Sequence, residues 1–485
     1  MDLVINPAGI SLLGYVLGGV KMDILKEDTI AAITTPFGTG GTGKIRISGP
    51  GAFQIGDKIF KSINKNKKIS EQKTYTAHYG YIYDPETAKE VDEVIAIMMR
   101  KPHSFTGEDV LEIDCHGGMT PLRAVLDIVL ANGGRIAEPG EFSQRAFLNG
   151  RLDLAQAEAI IDIINSKTEK SLDLALNQLN GKLSTKIDQI KENAVELLAH
   201  LEAAIDYPED EIAGFSAAEL GDKFLQIKLE LEKLISSSQQ GKIYKEGLKT
   251  VIVGKPNVGK SSLLNYFLEE KRAIVTDIPG TTRDVIEEYV NLKGIPLKII
   301  DTAGIRETAD EVEKIGVERT RNLAEKADLI LFMVDLNQGI TTEDREIYQL
   351  IKDKPVIVIA NKTDLEFKNT RQEILTEFRD HPLLWISLLK EEGLIELKDS
   401  ILSEILAEKI DLDSETIITK TRHKDALKSA LSAIEKVIVS HETGMPYDFL
   451  TIDLKDCLNS LGKITGETVA DDILDRIFSE FCLGK

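Results

Sequence analysis

Residues 254–261 read Gly-Lys-Pro-Asn-Val-Gly-Lys-Ser, in the middle of a chain of 485 residues, and have the spacing of a phosphate-binding loop. In such a loop, successive backbone N–H groups point at phosphate oxygens, so glycine is required where a Cβ would block the approach. The ammonium of Lys260 is expected to reach the β- and γ-phosphates of a nucleotide, and the hydroxyl of Ser261 to hold Mg²⁺. An apolar run at 249–253 and a helical pattern from 262 onward flank the loop. The central position predicts a nucleotide-binding module carried by other domains.

Two polar stretches follow in the order expected of a GTPase. Residues 276–284 read Thr-Asp-Ile-Pro-Gly-Thr-Thr-Arg-Asp, a switch-like loop in which Thr282 is suited to complete the Mg²⁺ shell. Residues 301–304 read Asp-Thr-Ala-Gly. Asp301 is suited to a water-mediated Mg²⁺ contact, and the Gly304 N–H to sensing the γ-phosphate. Both stretches are therefore interpreted as contacts to the metal and the terminal phosphate.

The nucleotide base is indicated by residues 361–364, Asn-Lys-Thr-Asp, at the end of an apolar strand pattern. A carboxylate at Asp364 can accept hydrogen bonds from N1–H and the 2-amino group of guanine, which adenine cannot supply. The motif therefore selects GTP over ATP. The base loop is expected at 385–389, Trp-Ile-Ser-Leu-Leu, where translation-factor-like GTPases carry Ser-Ala. Because the usual contact there is through backbone N–H, Leu388 beside Ser387 is compatible with base binding.

The group that assists hydrolysis is not the usual one. Ras-type GTPases place a water-orienting Gln directly after the Asp-Thr-Ala-Gly motif, whereas this chain has Ile305. Charge that develops between the phosphates must then be neutralised by an arginine or another cation. Arg283 and Arg306 are candidates by position. The alternative is that both are exposed switch arginines in contact with water.

Composition limits the class of protein. The length predicts about two to four domains. The chain has 59 Lys and Arg against 80 Asp and Glu, a net charge of −21, which argues against nonspecific coating of nucleic acid. Cys115, Cys457 and Cys482 are far apart and odd in number, which indicates a reducing cytoplasm rather than a disulfide framework. Residues 1–22 include an apolar, Gly-rich run that is too short to span a bilayer. They are interpreted as an extension outside the folded domains, and no membrane association is expected.

Periodicity divides the rest of the chain into blocks. Residues 29–149 alternate β-rich runs with turns and contain one clear helix at 120–132, which predicts an α+β domain. Long helices follow to about residue 242, and strand–helix alternation over 248–406 fits a doubly wound parallel sheet. Residues 420–481 are helical again. The two helical blocks could pack together as one domain interrupted by the α/β module, or form separate domains. The β-rich runs are 29–35, 44–48, 94–99 and 110–114. An apolar stripe at helical spacing contains Leu183, Ile187, Ile190, Ala194, Leu197, Leu201 and Ala204.

Several stretches outside the GTPase motifs resemble the MnmE family, also called TrmE. They are Asp28-Thr-Ile-Ala-Ala, Ile45-Arg-Ile-Ser-Gly-Pro50, Ser104-Phe-Thr-Gly-Glu-Asp-Val-Leu-Glu112, His116-Gly-Gly, Glu138-Pro-Gly-Glu-Phe-Ser143, residues 145–159 and the terminal Phe481-Cys-Leu-Gly-Lys485. The resemblance runs from about residue 28 to the last residue. It implies a multidomain α+β and α/β protein, in which a Ras-like P-loop GTPase domain is inserted into a discontinuous helical domain. The implied domains are 23–149 for folate binding and dimerisation, 150–241 and 412–485 for the helical domain, and 242–411 for the GTPase.

The resemblance also implies an activity. It points to a homodimeric, potassium-dependent GTP hydrolase that works in the cytoplasm with a flavin-dependent, FAD-containing partner, MnmG, as a heterotetramer. Together they install a (carboxymethyl)aminomethyl group at C5 of the wobble uridine of certain tRNAs. The one-carbon unit comes from a formyl-tetrahydrofolate, such as 5-formyl-tetrahydrofolate.

Residues around the phosphates are assigned by the same resemblance. Asn257, Thr276, Ile278 and Thr281 match a potassium site, where hard oxygen donors place a monovalent cation in the position of an arginine finger. Glu313 matches the carboxylate that orients the attacking water. With the motifs above, the expected GTP contacts are Asn257, Val258, Gly259, Lys260, Ser261, Ser262, Thr276, Asp277, Ile278, Pro279, Gly280, Thr281, Thr282, Asp301, Thr302, Ala303, Gly304, Asn361, Lys362, Asp364, Ser387 and Leu388.

The folate site is implied by Arg46, Glu108 and Arg151, which match folate-contacting positions, with Lys485 reaching in from the chain end. Cations there suit a glutamate-tailed anion, and Glu108 could accept a hydrogen bond from the pterin. Cys482 would ordinarily be interpreted as a buried structural thiol. A thiol beside a nearby cation could also be activated, and in the family this cysteine is associated with the modification reaction.

Two positions depart from the family pattern. Thr39 stands where a basic residue is common, and Leu388 stands in the base loop.

Two other functions compete with the one that the resemblance implies. A ribosome-assembly GTPase with RNA-binding flanks predicts a basic flank, whereas the helical tail is mixed in charge. A folate protein with a regulatory switch does not explain a full hydrolytic set. The residues therefore favour GTP hydrolysis coupled to tRNA modification.

Overall fold

The computed structural model of the chain describes residues 28–36, 38–63, 67–207, 215–269, 288–300, 315–367, 369, 371–405, 416–482, 484 and 485. These residues form two compact units. The first comprises the chain up to Arg151 together with Ser479–Lys485, and the second comprises Leu152–Phe478. The extension predicted at 1–22 lies outside the described residues. None of the helices in the described part combines the length and apolar character that a membrane span requires.

The first unit is built on a seven-stranded sheet. Its strands are β1 (Ile30–Ile33), β2 (Thr42–Ser48), β3 (Phe60–Ser62), β4 (Thr76–Tyr83), β5 (Glu90–Met99), β6 (Val110–His116) and β7 (Arg135–Ile136). Its helices are α1 (Ala52–Ile59), α2 (Met119–Ala131) and α3 (Glu141–Leu148). The spatial order is β3-β4-β5-β6-β2-β1-β7, antiparallel except for the parallel β1–β7 pair. The predicted strand runs and the predicted helix at 120–132 are confirmed, and β3, β4, β7, α1 and α3 are additional elements.

Side-chain alternation gives this sheet an apolar face and a charged face. On β2, Ile45 and Ile47 are fully buried in a cluster that includes side chains of α1 and α2. The intervening Lys44 and Arg46 lie on the other face. There the antiparallel register places them opposite residues 114 and 112 of β6, both acidic. The charged face of the sheet therefore presents paired cations and carboxylates.

Helices open the second unit: α4 (Leu154–Asn165), α5 (Glu169–Leu179), α6 (Lys182–Asp206), α7 (Ala217–Ser236) and α8 (Ser238–Glu246). Helix α4 begins with a capping box in which Asp153 and Gln156 each accept the other's backbone N–H. The predicted stripe is confirmed on α6, where its members from Leu183 to Leu201 are buried. Ala204 is only half-buried.

An α/β module follows. Its elements are β8 (Leu248–Val253), α9 (Lys260–Glu269), β9 (Glu288–Leu292), β10 (Ile295–Ile299), α10 (Ile315–Lys326), β11 (Leu329–Asp335), α11 (Thr342–Ile351), β12 (Val356–Asn361), α12 (Arg371–Glu377), β13 (Leu383–Trp385) and α13 (Leu394–Ile405). The strand order is β13-β12-β11-β8-β10-β9, and the pairs from β13 to β10 are parallel. Buried parallel strands with crossover helices form the predicted doubly wound sheet.

The sheet is not fully parallel, because β9 runs antiparallel to β10 at one edge. The chain reverses at Lys293 and Gly294, whose φ angles are 48° and 94°. Asn291 Oδ1 accepts the Gly294 N–H at 2.8 Å. An Asn and a Gly at these positions are turn residues that fix a tight hairpin. The predicted doubly wound sheet therefore has one antiparallel edge strand, β9.

Helices α14 (Thr421–Glu442), α15 (Tyr447–Thr465) and α16 (Asp471–Ser479) come after the module. One apolar core joins the helices on both sides of it. This core contains Leu197 of α6, Phe224 of α7, Leu427 of α14 and Leu454 of α15. The helices on both sides of the module therefore share one apolar core, which favours one discontinuous domain over separate domains.

A buried polar network crosses the same junction. The Glu158 carboxylate of α4, 6% exposed, lies 2.7 Å from Arg422 Nη2 and 2.8 Å from His423 Nε2 of α14. Burial alone would raise the pKa of Glu158, but His423 and Arg422 hold it well below its usual range. Burial lowers the pKa of His423, although Glu158 opposes this. Glu158 is therefore an ionised carboxylate beside a neutral imidazole.

We expect His423 to make the helical domain less stable in acid. The fold holds this imidazole neutral, while the unfolded chain binds a proton below the ordinary pKa of 6.5. Unfolding is therefore favoured as pH falls below that value, by at most about 1.4 kcal/mol per pH unit. The variant His423→Gln keeps an N–H donor for Glu158 and removes the titration. Calorimetry should show a smaller decrease in Tm between about pH 7.5 and about pH 5.5 in the variant than in the wild type. An equal decrease would contradict the prediction.

Candidate functional site

The phosphate loop joins β8 to α9 at the carboxyl edge of the parallel strands. Its backbone passes close to two neighbours. A Cβ on Gly254 (φ 147°) would lie 2.4 Å from the carbonyl oxygen of Met333, and one on Gly259 (φ 110°) would lie 2.5 Å from Asn361 Nδ2. Asn257 also has a positive φ, 63°. Glycine is therefore required at 254 and 259, and the left-handed residues give the turn typical of an anion-binding loop.

The Lys260 ammonium lies within this loop. It donates to the carbonyl oxygens of Gly254 at 2.7 Å and Lys255 at 2.6 Å. Burial lowers the pKa of Lys260, and the charge of Glu343 opposes this. An ammonium held by neutral carbonyls gains strongly when it meets a phosphate anion. Ser261 follows in the first turn of α9, as its expected role in holding Mg²⁺ requires. The donor set therefore fits a nucleotide phosphate with its metal.

Asn361, at the end of β12, connects the phosphate loop to the base loop. Its Nδ2 donates to the Val258 carbonyl at 2.8 Å, and its Oδ1 accepts the Leu388 N–H at 3.3 Å. The backbone donor expected at Leu388 is thus directed to Asn361. A Cβ added to Gly259 would lie 3.2 Å from the Leu388 side chain, so this side chain is next to the phosphate loop. Leucine therefore fits the base loop and packs against the phosphate loop.

Asp364 is aligned by the base loop. Ser387 Oγ donates to Asp364 Oδ1 at 2.6 Å, and this hydrogen bond lowers the pKa of the carboxyl. Lys362, with φ 70°, turns back so that its Nζ donates to Asp335 Oδ2 at 2.6 Å. An ionised, acceptor-only carboxylate matches the two donors of guanine. The geometry at Asp364 therefore suits a guanine base.

The remaining predicted residues of the GTPase site lie outside the described residues. They are Thr276, Asp277, Ile278, Pro279, Gly280, Thr281, Thr282, Asp301, Thr302, Ala303, Gly304, Arg283, Arg306 and Glu313. Of the predicted potassium ligands, Asn257 is described, and its side chain is exposed in the phosphate loop. The described part of the site therefore includes the phosphate and base contacts but not the switch residues.

A second group of charges lies on the charged face of the first unit. Arg46 Nε donates to Glu112 Oε1 at 2.9 Å, and its Nη2 lies 2.8 Å from the same oxygen. The guanidinium is 5.0 Å from the ring centroid of Phe105 and 5.5 Å from that of Phe142. Its Nη1 is buried and has no hydrogen-bond partner within the described ranges. An unsatisfied donor on a buried cation favours an anionic ligand.

Arg46 repels two further cations that are predicted for the folate site. Arg151 Nη1 donates to the Phe105 carbonyl at 2.8 Å. Burial lowers the pKa of Arg151, and repulsion from Arg46 adds to the effect, while Tyr75 opposes it. Burial also lowers the pKa of Lys485, again with repulsion from Arg46. The structure therefore brings together three of the four predicted folate residues, and a bound anion would relieve their repulsion.

Glu108, the fourth predicted folate residue, is held by its own partners. Its Oε2 accepts the Ser48 hydroxyl at 2.7 Å, and its Oε1 lies 3.2 Å from Arg145 Nη1. Arg145 is also bonded to Asp28 at 2.6 Å. Sequence reasoning missed Arg145 and the partner of Arg46, Glu112. The alternating acidic residues of β6 opposite alternating basic residues of β2 were the available signal.

Cys482 differs from the other cysteines. Its side chain is exposed, whereas Cys115 and Cys457 are buried. Burial raises the pKa of each buried thiol to about 12, which makes both inert. The ordinary interpretation of Cys482 as a buried structural thiol is therefore wrong. The Lys485 N–H donates to the Cys482 carbonyl at 3.2 Å, so the thiol lies in the same turn as the terminal cation.

Comparison with known proteins covers both units. A family model described as the MnmE helical domain matches residues 154–482. A model described as the GTP-binding protein TrmE N-terminus matches residues 29–151. The two matches together span nearly all of the described residues.

Curated relatives match over almost their whole length. The tRNA modification GTPase MnmE of Alkaliphilus oremlandii is 49% identical over 459 residues, which is 95% of this chain and 99% of the relative. The protein of the same name from Desulforamulus reducens is 50% identical over 460 residues, 95% of this chain and 100% of the relative. That from Clostridioides difficile is 50% identical over 459 residues, with 95% and 99% covered. Because identity and coverage are this high in both units, the chain belongs to the MnmE family.

Proposed function

We propose that this protein is a potassium-dependent GTP hydrolase that acts in tRNA modification. With an FAD-containing, MnmG-like partner it installs a (carboxymethyl)aminomethyl group at C5 of the wobble uridine, using a one-carbon unit from formyl-tetrahydrofolate. The reaction takes place in the cytoplasm. The observation that carries the proposal is the meeting of Lys260, Asn361 and Asp364 at one edge of a parallel sheet. The names of the relatives, which are tRNA modification GTPases, support the choice of substrate.

The chain's own residues bind and orient the nucleotide. Lys260 pairs with the β- and γ-phosphates, and Asp364 accepts the guanine donors. Ser261 and Thr282 would hold Mg²⁺, which would neutralise phosphate charge. The rigid link from Val258 through Asn361 to the base loop sets the distance between the phosphates and the base. Positioning and charge neutralisation are the main requirements of phosphoryl transfer.

In this proposal a bound potassium ion would supply the positive charge that an arginine finger supplies in other GTPases. The exposed amide of Asn257, in a left-handed turn of the phosphate loop, offers an oxygen to such a cation. Thr276, Ile278 and Thr281 would complete the site. Glu313 orients the attacking water, since Ile305 cannot. Arg306 remains a candidate for further charge neutralisation.

The first unit binds the folate and carries the reactive thiol. Arg46, Arg151 and Lys485 hold the glutamate tail of the folate. Its negative charge would offset the repulsion among these cations, and it would accept a hydrogen bond from Arg46 Nη1. The exposed thiol of Cys482, in the same turn as Lys485, takes part in the uridine modification. The uridine is therefore modified near the folate and not at the phosphate loop.

The same unit forms the homodimer. Tyr79 of β4 and Ile95 of β5 are cross-strand partners and are 49% and 43% exposed. Ile95 is also opposite Asp114 of β6, which places both side chains on the charged face of the sheet. An aromatic and an aliphatic group on an open sheet face suit contact with a second copy of the chain.

Hydrolysis moves the helical domain and thereby gates the folate site. The Asp162 carboxylate of α4 lies 3.2 Å from Lys245 Nζ and 3.1 Å from Lys420 Nζ. Lys245 lies directly before β8, and Lys420 lies between α13 and α14. A displacement of the module therefore acts on α4 through both ends of the insertion. The domain boundaries at 149/150, 241/242 and 411/412 are part of this proposal.

The variant Asp364→Asn should lose affinity for GTP and gain affinity for xanthosine triphosphate. An amide can donate to the C2 carbonyl of xanthine but cannot accept both guanine donors. We expect GTP affinity to fall about a hundredfold, since two hydrogen bonds to a charged group are lost. Equilibrium binding measures both nucleotides, with Asp380→Asn, an exposed carboxylate of the same module, as the matched control. Unchanged GTP affinity in Asp364→Asn would rule out the assigned base contact.

GTP turnover should depend on the monovalent cation. At equal ionic strength we expect at least about a tenfold higher rate in potassium than in sodium, because charge stabilisation at the phosphates is lost without a fitting cation. The variant Asn257→Ala should remove most of this difference. Single-turnover phosphate release is the measurement, and equal rates in the two salts would sink the potassium proposal.

Wobble-uridine modification should disappear from tRNA in a strain that lacks this protein. The wild-type gene should restore it, whereas Cys482→Ser and Lys485→Met should not, because one removes the thiol and the other a folate cation. Glu480→Gln, an exposed neighbour, is the control and should restore it. Mass spectrometry of tRNA nucleosides gives the readout. Full modification in the deletion strain would exclude the tRNA role and favour the ribosome-assembly alternative.

A further inference from the structure

Lys255, the second residue of the phosphate loop, reaches helix α11 with its side chain. Its Nζ lies 2.8 Å from Asp344 Oδ2 and 2.8 Å from Thr341 Oγ1. The side chains of Lys255 and Asp344 are 7% and 0% exposed. The phosphate loop is therefore joined to α11 by a buried ion pair.

The cap of α11 fixes the acidic partner. Asp344 Oδ2 accepts the backbone N–H and the hydroxyl of Thr341, both at 2.8 Å. Thr341 Oγ1 in turn accepts the Asp344 N–H, which completes a capping box. A carboxylate buried in this way needs a positive charge beside it. Lys255 supplies that charge from the phosphate loop.

The main chain of Lys255 holds the phosphate-binding lysine. Lys260 Nζ donates to the Lys255 carbonyl at 2.6 Å. The start of α11 is beside the loop, because Thr341 Oγ1 accepts from Lys255 Nζ. The far end of the loop is held separately, through the Val258 carbonyl and Asn361. Lys255 thus contacts α11 with its side chain and Lys260 with its carbonyl oxygen.

We propose that the Lys255–Asp344 pair positions the phosphate loop so that the Lys260 ammonium meets the β- and γ-phosphates of GTP. The inference deepens the proposed GTP hydrolysis and rests on it. Lys255 and Asp344 act through Lys260 and are positioning residues. Their contribution is therefore specific to nucleotides that carry a β-phosphate.

The double variant Lys255→Met, Asp344→Asn tests this. It removes both charges together, so no unpaired charge remains buried. We expect the affinity for GDP and GTP to fall about tenfold or more, because Lys260 loses its fixed position relative to charged oxygens. GMP lacks the phosphates that Lys260 reaches, and its affinity, measured by competition, should change by less than about twofold. Lys255→Arg keeps the charge and the donors and should retain GDP affinity within about threefold.

Arg345→Met, Glu377→Gln is the matched control, because it removes an ion pair of 3.0 Å from the same helix without touching the loop. Its GDP affinity should stay at the wild-type value. If the Lys255/Asp344 double variant lost affinity for GMP and GDP equally and also had a lower Tm, the ion pair would only stabilise the fold. That result would overturn the inference. Unchanged GDP affinity would overturn it as well. Failure of the wild type to bind GDP or GTP would instead overturn the proposed function, and this inference with it.

Discussion

An ionised carboxylate inside the helical core is tolerated only because Arg422, a cation from beyond the inserted module, reaches it. Glu158 and its partner Arg422 are 264 positions apart in the chain, with the whole α/β module between them. The helical domain cannot satisfy this charge until its second block has returned. Removing one partner would leave a buried charge at a cost of about 3–5 kcal/mol. The network therefore fixes the discontinuous topology as firmly as the shared apolar core does.

The same helix fixes the entry and exit of the module. Asp162 lies one turn after Glu158 on α4, and it pairs with a lysine before the module and one after it. Within the module, Asn361 joins the phosphate loop to the base loop, and Lys255 joins the phosphate loop to α11. The elements that hold a nucleotide are thus tied to one another, and the ends of the module are tied to α4. The polar contacts at the phosphate loop are thus separate from those that hold the ends of the module.

Motif spacing and helical periodicity in the sequence predicted several of these features. The phosphate-loop spacing predicted glycine at 259, for which the close approach of Asn361 is a second reason, and helical spacing predicted the stripe on α6. The β9–β10 edge was missed, although Asn291 and Gly294 carried a turn signal, because the surrounding pattern favoured parallel strands. The side chain of Lys255 could not be placed from sequence, since its partner Thr341 is 86 positions away. Arg46 was assigned through family resemblance alone, and its unpaired Nη1 became visible only when the sheet register and Glu112 were known.

The chain end is fitted closely against the first unit's own sheet. Gly484 has φ 88°, and a Cβ there would lie 2.6 Å from the Ile33 carbonyl, so glycine is required where the terminus meets β1. The Lys485 N–H donates to the Cys482 carbonyl, so the terminal cation and the exposed thiol share one turn. The backbone that holds Gly484 against β1 therefore sets the positions of the cation and the thiol together.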